Sequence, residues 1–161
     1  MLEEMQGQRL RIYTLGTSTR SFEEFLTILK HYGIEQVIDV RSFPKSKRYP
    51  HFDREELAEK LPFYGIFYWW LGPELGGYRR GGYEAYMQTE AFAKGLTRLI
   101  EKAKSKPTVI ICAERFPWKC HRRFIARRLE EKGIEVIHIL DKERTWPKSS
   151  HRQLLLRLDR Q

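Results

Sequence analysis

A run of β-branched residues that ends at a cysteine, with a proline-led helix start just behind it, sets the fold class of this chain. Val109, Ile110 and Ile111 are unbroken, as a strand buried on both faces requires. Cys112 falls where that strand stops. Ala113-Glu114-Arg115-Phe116 then makes a polar loop, and Pro117 supplies the φ that suits a first helical position. Cys120, His121 and Arg122 follow in the first helical turn or close to it. A thiol, a carboxylate, an imidazole and several guanidiniums are thus gathered at one strand-to-helix junction, where open α/β sheets bind ligands.

The same strand-then-helix signal recurs along the chain. Leu10 to Leu15 reads as a first strand ending at Gly16, and Ser21 with Glu24 forms a capping box. Phe22, Phe25, Leu26 and Leu29 recur at helical spacing until Gly33. Gln36 to Val40 is a second strand, Asp53 with Glu56 opens a short helix, and Phe63 to Leu71 is a third strand. Gly72 to Gly82 is a glycine-rich loop, followed by a helix from about Thr89 to Lys104. The fourth strand is Thr108 to Ile111, the next helix Trp118 to Lys132, and the fifth strand Glu135 to Leu140. The spacing predicts one α/β domain over residues 1–161, with its core at about 10–140. Residues 141–161 form an extension with a short helix capped by Ser150, burying Leu154, Leu155 and Leu158. The expected architecture is a mainly parallel five-stranded sheet flanked by helices, in Rossmann-like or flavodoxin-like layers.

That topology brings the loops after the strands to one rim, where free backbone N–H groups and helix N-termini favour anions. Charge points the same way, with 30 basic against 21 acidic residues and a formal net charge of +9. An anionic partner is expected: a phosphorylated metabolite, a nucleotide or nucleic acid. The 41% hydrophobic fraction with 13% aromatics excludes a disordered chain. No apolar run approaches the roughly 20 residues of a bilayer span, so no membrane partner is expected. The N-terminus shows no basic segment followed by an apolar one, and two cysteines make no secreted scaffold. The expectation is a cytoplasmic protein. Asparagine is absent while Lys, Arg and Glu are abundant, a composition resembling that of thermophilic proteins.

The motifs Tyr13 to Thr19, Asp39-Val40-Arg41 with Pro44 and Ser46, Pro73 to Gly77, Cys112-Ala113-Glu114, and Cys120-His121-Arg122 resemble domain-of-unknown-function family 488 (DUF 488). The resemblance runs from about Ile12 to Ile139 and implies a compact α/β domain, with no activity to carry over. The family commonly has Gly-His-Ser-Thr where this chain has Gly16-Thr17-Ser18-Thr19. A mechanism that uses that histidine therefore needs His121 or another histidine here. A more distant resemblance is to rhodanese-type sulfurtransferases, through Val37 to Arg41 and the unit from Val109 to Val136. The loop after Cys112 lacks their compact run of small and basic residues, and Trp118 stands where a phosphatase-type cysteine loop has arginine.

The candidate catalytic residues are Cys112 as nucleophile, with Glu114 and His121 for proton transfer. Arg41 and Arg122 offer guanidinium forks for an anion, and Thr17, Ser18 and Thr19 offer hydroxyls for phosphate or ribose. Ser42, Gly76, Gly77 and Arg79 join the ligand-binding set from the second and third loops, and Cys120 from the helix start. A buried structural cysteine at Cys112 and a Cys112–Cys120 disulfide remain alternatives. A zinc site of Cys112, Cys120 and His121 lacks a clear fourth ligand, so no metal is expected, and the residues identify no cofactor. Two function classes follow. One is a cysteine-assisted enzyme on a phosphorylated or nucleic-acid-like substrate, with a sulfurtransferase as its narrower version. The other is a non-catalytic nucleic-acid-binding module using the arginines and aromatics around Trp118 and Arg123.

Overall fold

The computed structural model describes residues 9–146. Its elements are β1 (Arg11–Gly16), α1 (Phe22–His31), β2 (Gln36–Asp39), α2 (Arg54–Lys60), β3 (Phe67–Trp70), α3 (Gly72–Leu75), α4 (Tyr83–Tyr86), α5 (Glu90–Ser105), β4 (Thr108–Cys112), α6 (Arg122–Glu131), β5 (Glu135–Asp141) and β6 (Arg144–Trp146). Side-chain caps explain two of the helix starts, the first of them read from the sequence. Ser21 accepts from the Glu24 N–H, and Thr89 from the Phe92 N–H, each satisfying an orphan helical donor. Asp53 precedes α2 without capping it; its carboxylate accepts from the Ser46 N–H instead.

The sheet runs β3-β2-β4-β1-β5-β6. Its first five strands are parallel, and β6 pairs antiparallel to β5. Period-two alternation along the strands feeds two cores. Val109 and Ile111 pack with Phe25, Leu29 and Leu57 on one face. Ile110 and Cys112 pack with Leu96, Leu99, Ile125 and Leu129 on the other. From β1 and β2 the chain proceeds toward β3, whereas from β4 it proceeds toward β5. Connections that diverge from neighbouring strands open a crevice at their carboxyl ends, here between β2 and β4.

The α/β sheet of the sequence reading is present, with differences in detail. A sixth strand, Arg144–Trp146, occupies the start of the predicted extension, while the expected Ser150 helix lies outside the described residues. The third strand is shorter than predicted because Leu61–Tyr64 winds into a 3₁₀ turn that Gly65 ends at φ 75°. Pro117 opens a 3₁₀ turn of its own, and α6 begins only at Arg122 with His121 as its cap. Cys120 therefore precedes the helix. The glycine-rich segment is partly helical, as α3.

Two polar groups are built into the buried strands. Asp39 is fully buried at the end of β2 and holds the Arg41 guanidinium through both carboxylate oxygens, at 2.9 and 2.7 Å. The Tyr68 hydroxyl also donates to it, and burial, with the facing carboxylate, pushes that phenol upward. Thr14 on β1 lies opposite His138 on β5, with Thr14 Oγ1 and His138 Nδ1 2.6 Å apart. Arg122 Nη1 donates to the same hydroxyl, so the hydroxyl proton goes to Nδ1. His138 is then the Nε2–H tautomer, and burial, reinforced by the Arg122 charge, lowers its pKa to about 3.

Asp39→Ala strands the Arg41 guanidinium, and the expected cost is about 3–5 kcal/mol, read as a lower urea midpoint at unchanged slope. A cost below about 1 kcal/mol would mean that the pair is worth no more than a solvated one. His138 gives a second expectation. The unfolded chain takes up its proton near 6.5 and the folded one near 3, so this contribution is complete above 6.5 and lost as the pH falls toward 3. The slope is up to about 1.4 kcal/mol per pH unit. Urea titrations across that window should be less steep in His138→Gln, and an identical slope would contradict the burial of a neutral ring.

Candidate active site

Cys112 ends β4 with its side chain on the α5/α6 face, and Cys120 stands just before α6. The intervening loop and 3₁₀ turn fold back so that the two sulfurs lie 2.7 Å apart, both thiols free. They occupy different environments. Cys112 is 2% exposed, and burial, with the proton it offers to Cys120, pushes its pKa well up. Cys120 is less buried, and its sulfur accepts from the Arg122 N–H at 3.4 Å at the start of α6. His121 Nδ1 stands 3.6 Å from the same sulfur. The hydrogen bond from Cys112 is the largest cause that lowers the Cys120 pKa, followed, against burial, by His121 and Arg122. A helix N-terminus and cationic neighbours are the usual means of making a thiolate.

His121 is oriented by its other nitrogen. Nε2 lies 2.9 Å from the Val40 carbonyl, which accepts only, so Nε2 carries hydrogen and Nδ1 is left for Cys120. A Cβ on Gly77 would come within 3.2 Å of Nδ1, so the glycine keeps that side of the ring clear. Tyr83 packs its ring 5.2 Å from the imidazole and donates its hydroxyl to the Leu75 carbonyl.

Behind the pair lies Arg122, fully buried. It donates to Thr14 Oγ1 at 2.9 Å and to the carbonyls of Glu114 and Arg115 at 2.6 and 3.2 Å. Its Nε has no partner, and no carboxylate is paired with it among the described residues. A buried cation without a counter-ion favours negative charge nearby, and both cysteines feel it.

The sulfurs open into a cleft of about 720 Å³ between the loops after β2, β3 and β4. Arg41, Ser42, Gly77, Arg79, Cys112, Glu114, Cys120 and His121 border it, whereas Thr17, Ser18, Thr19, Gly76 and Arg122 do not. The first loop is sealed against the fourth. The Thr17 and Ser18 N–H groups donate to the Cys112 and Ala113 carbonyls, and a Cβ on Gly16 would lie 2.0 Å from the Glu114 carbonyl oxygen. The Thr17 and Ser18 N–H groups are thereby spent. The guanidiniums are also committed: Arg41 to Asp39 and the Phe52 carbonyl, and Arg79 to the carbonyls of Gly72, Pro73 and Gly76. Ser42 Oγ donates to the Gly77 carbonyl at 2.7 Å, tying the second loop to the third. Glu114 borders the cleft, and among the described residues its carboxylate accepts only from the Phe116 N–H, at 3.4 Å.

Sequence reasoning gave no site role to Thr14, His138, Phe43 or Tyr78. Thr14 and His138 did leave a signal, as single polar residues inside otherwise apolar strands. Phe43 and Tyr78 also border the cleft and looked like ordinary loop aromatics. No group of three His, Cys, Asp or Glu side chains that could hold a metal occurs among the described residues.

No protein of curated function and no solved structure matches the chain. The family model described as "Domain of unknown function DUF488" matches residues 21–129. That span covers more than half of the sequence and carries both cysteines, His121 and Arg122, and the chain belongs to this family.

Proposed function

We propose that this protein is a thiol-dependent enzyme in which Cys120 is the nucleophile and Cys112 the resolving thiol. The carrying observation is the 2.7 Å approach of the two sulfurs, with His121 Nδ1 beside only one of them. The roles are thus reversed relative to the sequence reading, which made Cys112 the nucleophile. Burial keeps Cys112 protonated, and a protonated thiol is a poor nucleophile but a good donor to a neighbouring thiolate.

The elementary step that suits such a pair is thiol–disulfide exchange. The Cys120 thiolate attacks one sulfur of a substrate disulfide, whose S–S bond breaks and whose other half leaves as a thiolate. That leaving thiolate takes the Cys112 proton. The Cys112 sulfur then attacks Cys120 Sγ and expels the first half as a thiolate. The protein dithiol is oxidised to a disulfide and the substrate disulfide reduced to two thiols; a low-molecular-weight thiol regenerates the enzyme. The sulfurtransferase alternative uses the same nucleophile with a persulfide sulfur as electrophile. An anionic substrate is part of the proposal: Lys119 borders the cleft and has no carboxylate partner among the described residues.

Iodoacetamide alkylation against pH tests the assignment. Cys120 should react with an apparent pKa well below the ordinary thiol value of about 8.5. The rate should hold steady as the pH falls from neutrality and drop only when the thiolate is protonated. Cys120→Ser should abolish the fast phase, while Cys112→Ala, by removing the largest stabilising donor, should retain it at a raised pKa. A fast phase that survives in Cys120→Ser would overturn the assignment. For the redox step, equilibration with oxidised glutathione should link Cys112 to Cys120, and a glutathione adduct should persist on Cys120 in Cys112→Ser. Absence of the intramolecular disulfide would exclude the resolving role.

A further inference from the structure

On the same cleft as the dithiol, two large aromatic rings stand in solvent. Phe43 is 76% and Tyr78 91% exposed, and both border the cleft. Loop aromatics usually fold back onto the body, because fully burying such a ring gains about 1.5–3 kcal/mol. Tyr78 sits at φ 58°, a left-handed conformation that few non-glycine residues adopt and that clusters at ligand sites. The two rings are also held as a pair. Ser42, just before Phe43, donates to the carbonyl of Gly77, just before Tyr78, and the ring centroids lie 6.0 Å apart at 44°.

The surroundings are cationic. Lys119 borders the same cleft, Lys45 follows Phe43 by two residues, and Arg80 follows Tyr78 by two. None of the three is paired with a carboxylate among the described residues. Exposed π-faces interleaved with unpaired cations are what a nucleotide unit uses, its base stacking on the rings and its phosphate meeting the lysines. An apolar peptide would leave the cations without a function, and inorganic phosphate would leave the rings without one.

We infer that Phe43 and Tyr78 form a seat for a nucleobase, so that the cleft takes a nucleotide unit, free or within a single strand, next to Cys120. The inference deepens the thiol-enzyme reading and rests on it only for the chemistry that follows binding. The seat itself lies on the second and third loops and contains neither cysteine. Its two arms are fixed to each other before ligand arrives, which limits the entropy lost on binding. A base stacked on their exposed faces sits on the open side of the cleft, and Lys119 on the same cleft offers a charge for its phosphate.

Adenosine monophosphate and a short oligothymidylate, each titrated into the full-length protein and followed by calorimetry, are the probes, with ribose 5-phosphate as the baseless control. At least one base-bearing probe should bind at least tenfold more tightly than ribose 5-phosphate. Phe43→Ala and Tyr78→Gly should each weaken that binding about tenfold, with unfolding midpoints near that of the wild type. Binding of only the oligothymidylate would identify a single strand as the source of the base, and binding of adenosine monophosphate a free nucleotide. Equal affinity for ribose 5-phosphate, or unchanged affinity in both variants, would overturn the seat. Cys120→Ser separates the two readings. If it still binds nucleotide while the wild-type thiols prove inert to alkylation and glutathione, the seat stands and the thiol enzyme falls.

Discussion

The buried guanidinium of Arg122 organises the end of this molecule that carries the two cysteines. No acidic side chain is paired with it among the described residues. It is held instead by a hydroxyl and two carbonyls. Those contacts fix the loop after β4, and the loop fixes the distance between Cys112 and Cys120. Placing a full positive charge behind two thiols in a poorly solvated pocket makes one thiolate the natural counter-ion. Which thiol takes the charge is decided by geometry at the start of α6, where Cys120 meets a helical N–H and an imidazole and Cys112 meets neither. His138 belongs to the same arrangement. Through the Thr14 hydroxyl it shares the Arg122 contact, and its lowered pKa keeps a second positive charge out of the site.

Much of the fold was legible because the strands announce themselves. Val109-Ile110-Ile111 permits little but a central strand, and Ser21 with Glu24 marks α1 to within a residue. What escaped was local and competitive. Pro117 does begin a helical turn, but a 3₁₀ one, and two further residues, Cys120 and His121, intervene before α6 starts. That delay moves Cys120 from the first helical turn to a position before the helix, where its sulfur accepts a helical N–H. No periodicity argument sees it, because the hydrophobic pattern of Phe124, Ile125 and Leu129 is the same either way. β6 escaped for a different reason: Arg144-Thr145-Trp146 is too short to show alternation and forms only because β5 offers an open edge.

The candidate residues divide along a physical line that sequence cannot draw. Position on the rim was readable from topology, whereas availability was not. Arg41, Arg79 and Arg122 all stand at the carboxyl end of the sheet, yet carbonyls, and in one case a carboxylate, hold their guanidiniums. Thr17 and Ser18 lose their N–H groups in the same way to the loop after β4. A basic residue near a helix start is as good a partner for the protein's own loops as for a ligand, and at this crowded rim the loops win. The cations left for an anion are those farther out, on the cleft mouth and the second loop.

This changes the kind of ligand the crevice suits. Glycine-rich first loops of doubly wound sheets bind phosphate through bare backbone N–H groups. Here that position is filled: Gly16 lies so close to the Glu114 carbonyl that even a methyl group would collide. The opening shifts from β1 to the gap between β2 and β4, and its walls become side chains: a thiolate at the floor, an imidazole fixed by Val40, two aromatic rings and lysines at the mouth. A phosphate alone finds little to grip there. A ligand with a flat apolar part to stack, a charge for the rim, and an electrophilic atom reaching the Cys120 sulfur uses every group that the fold leaves free.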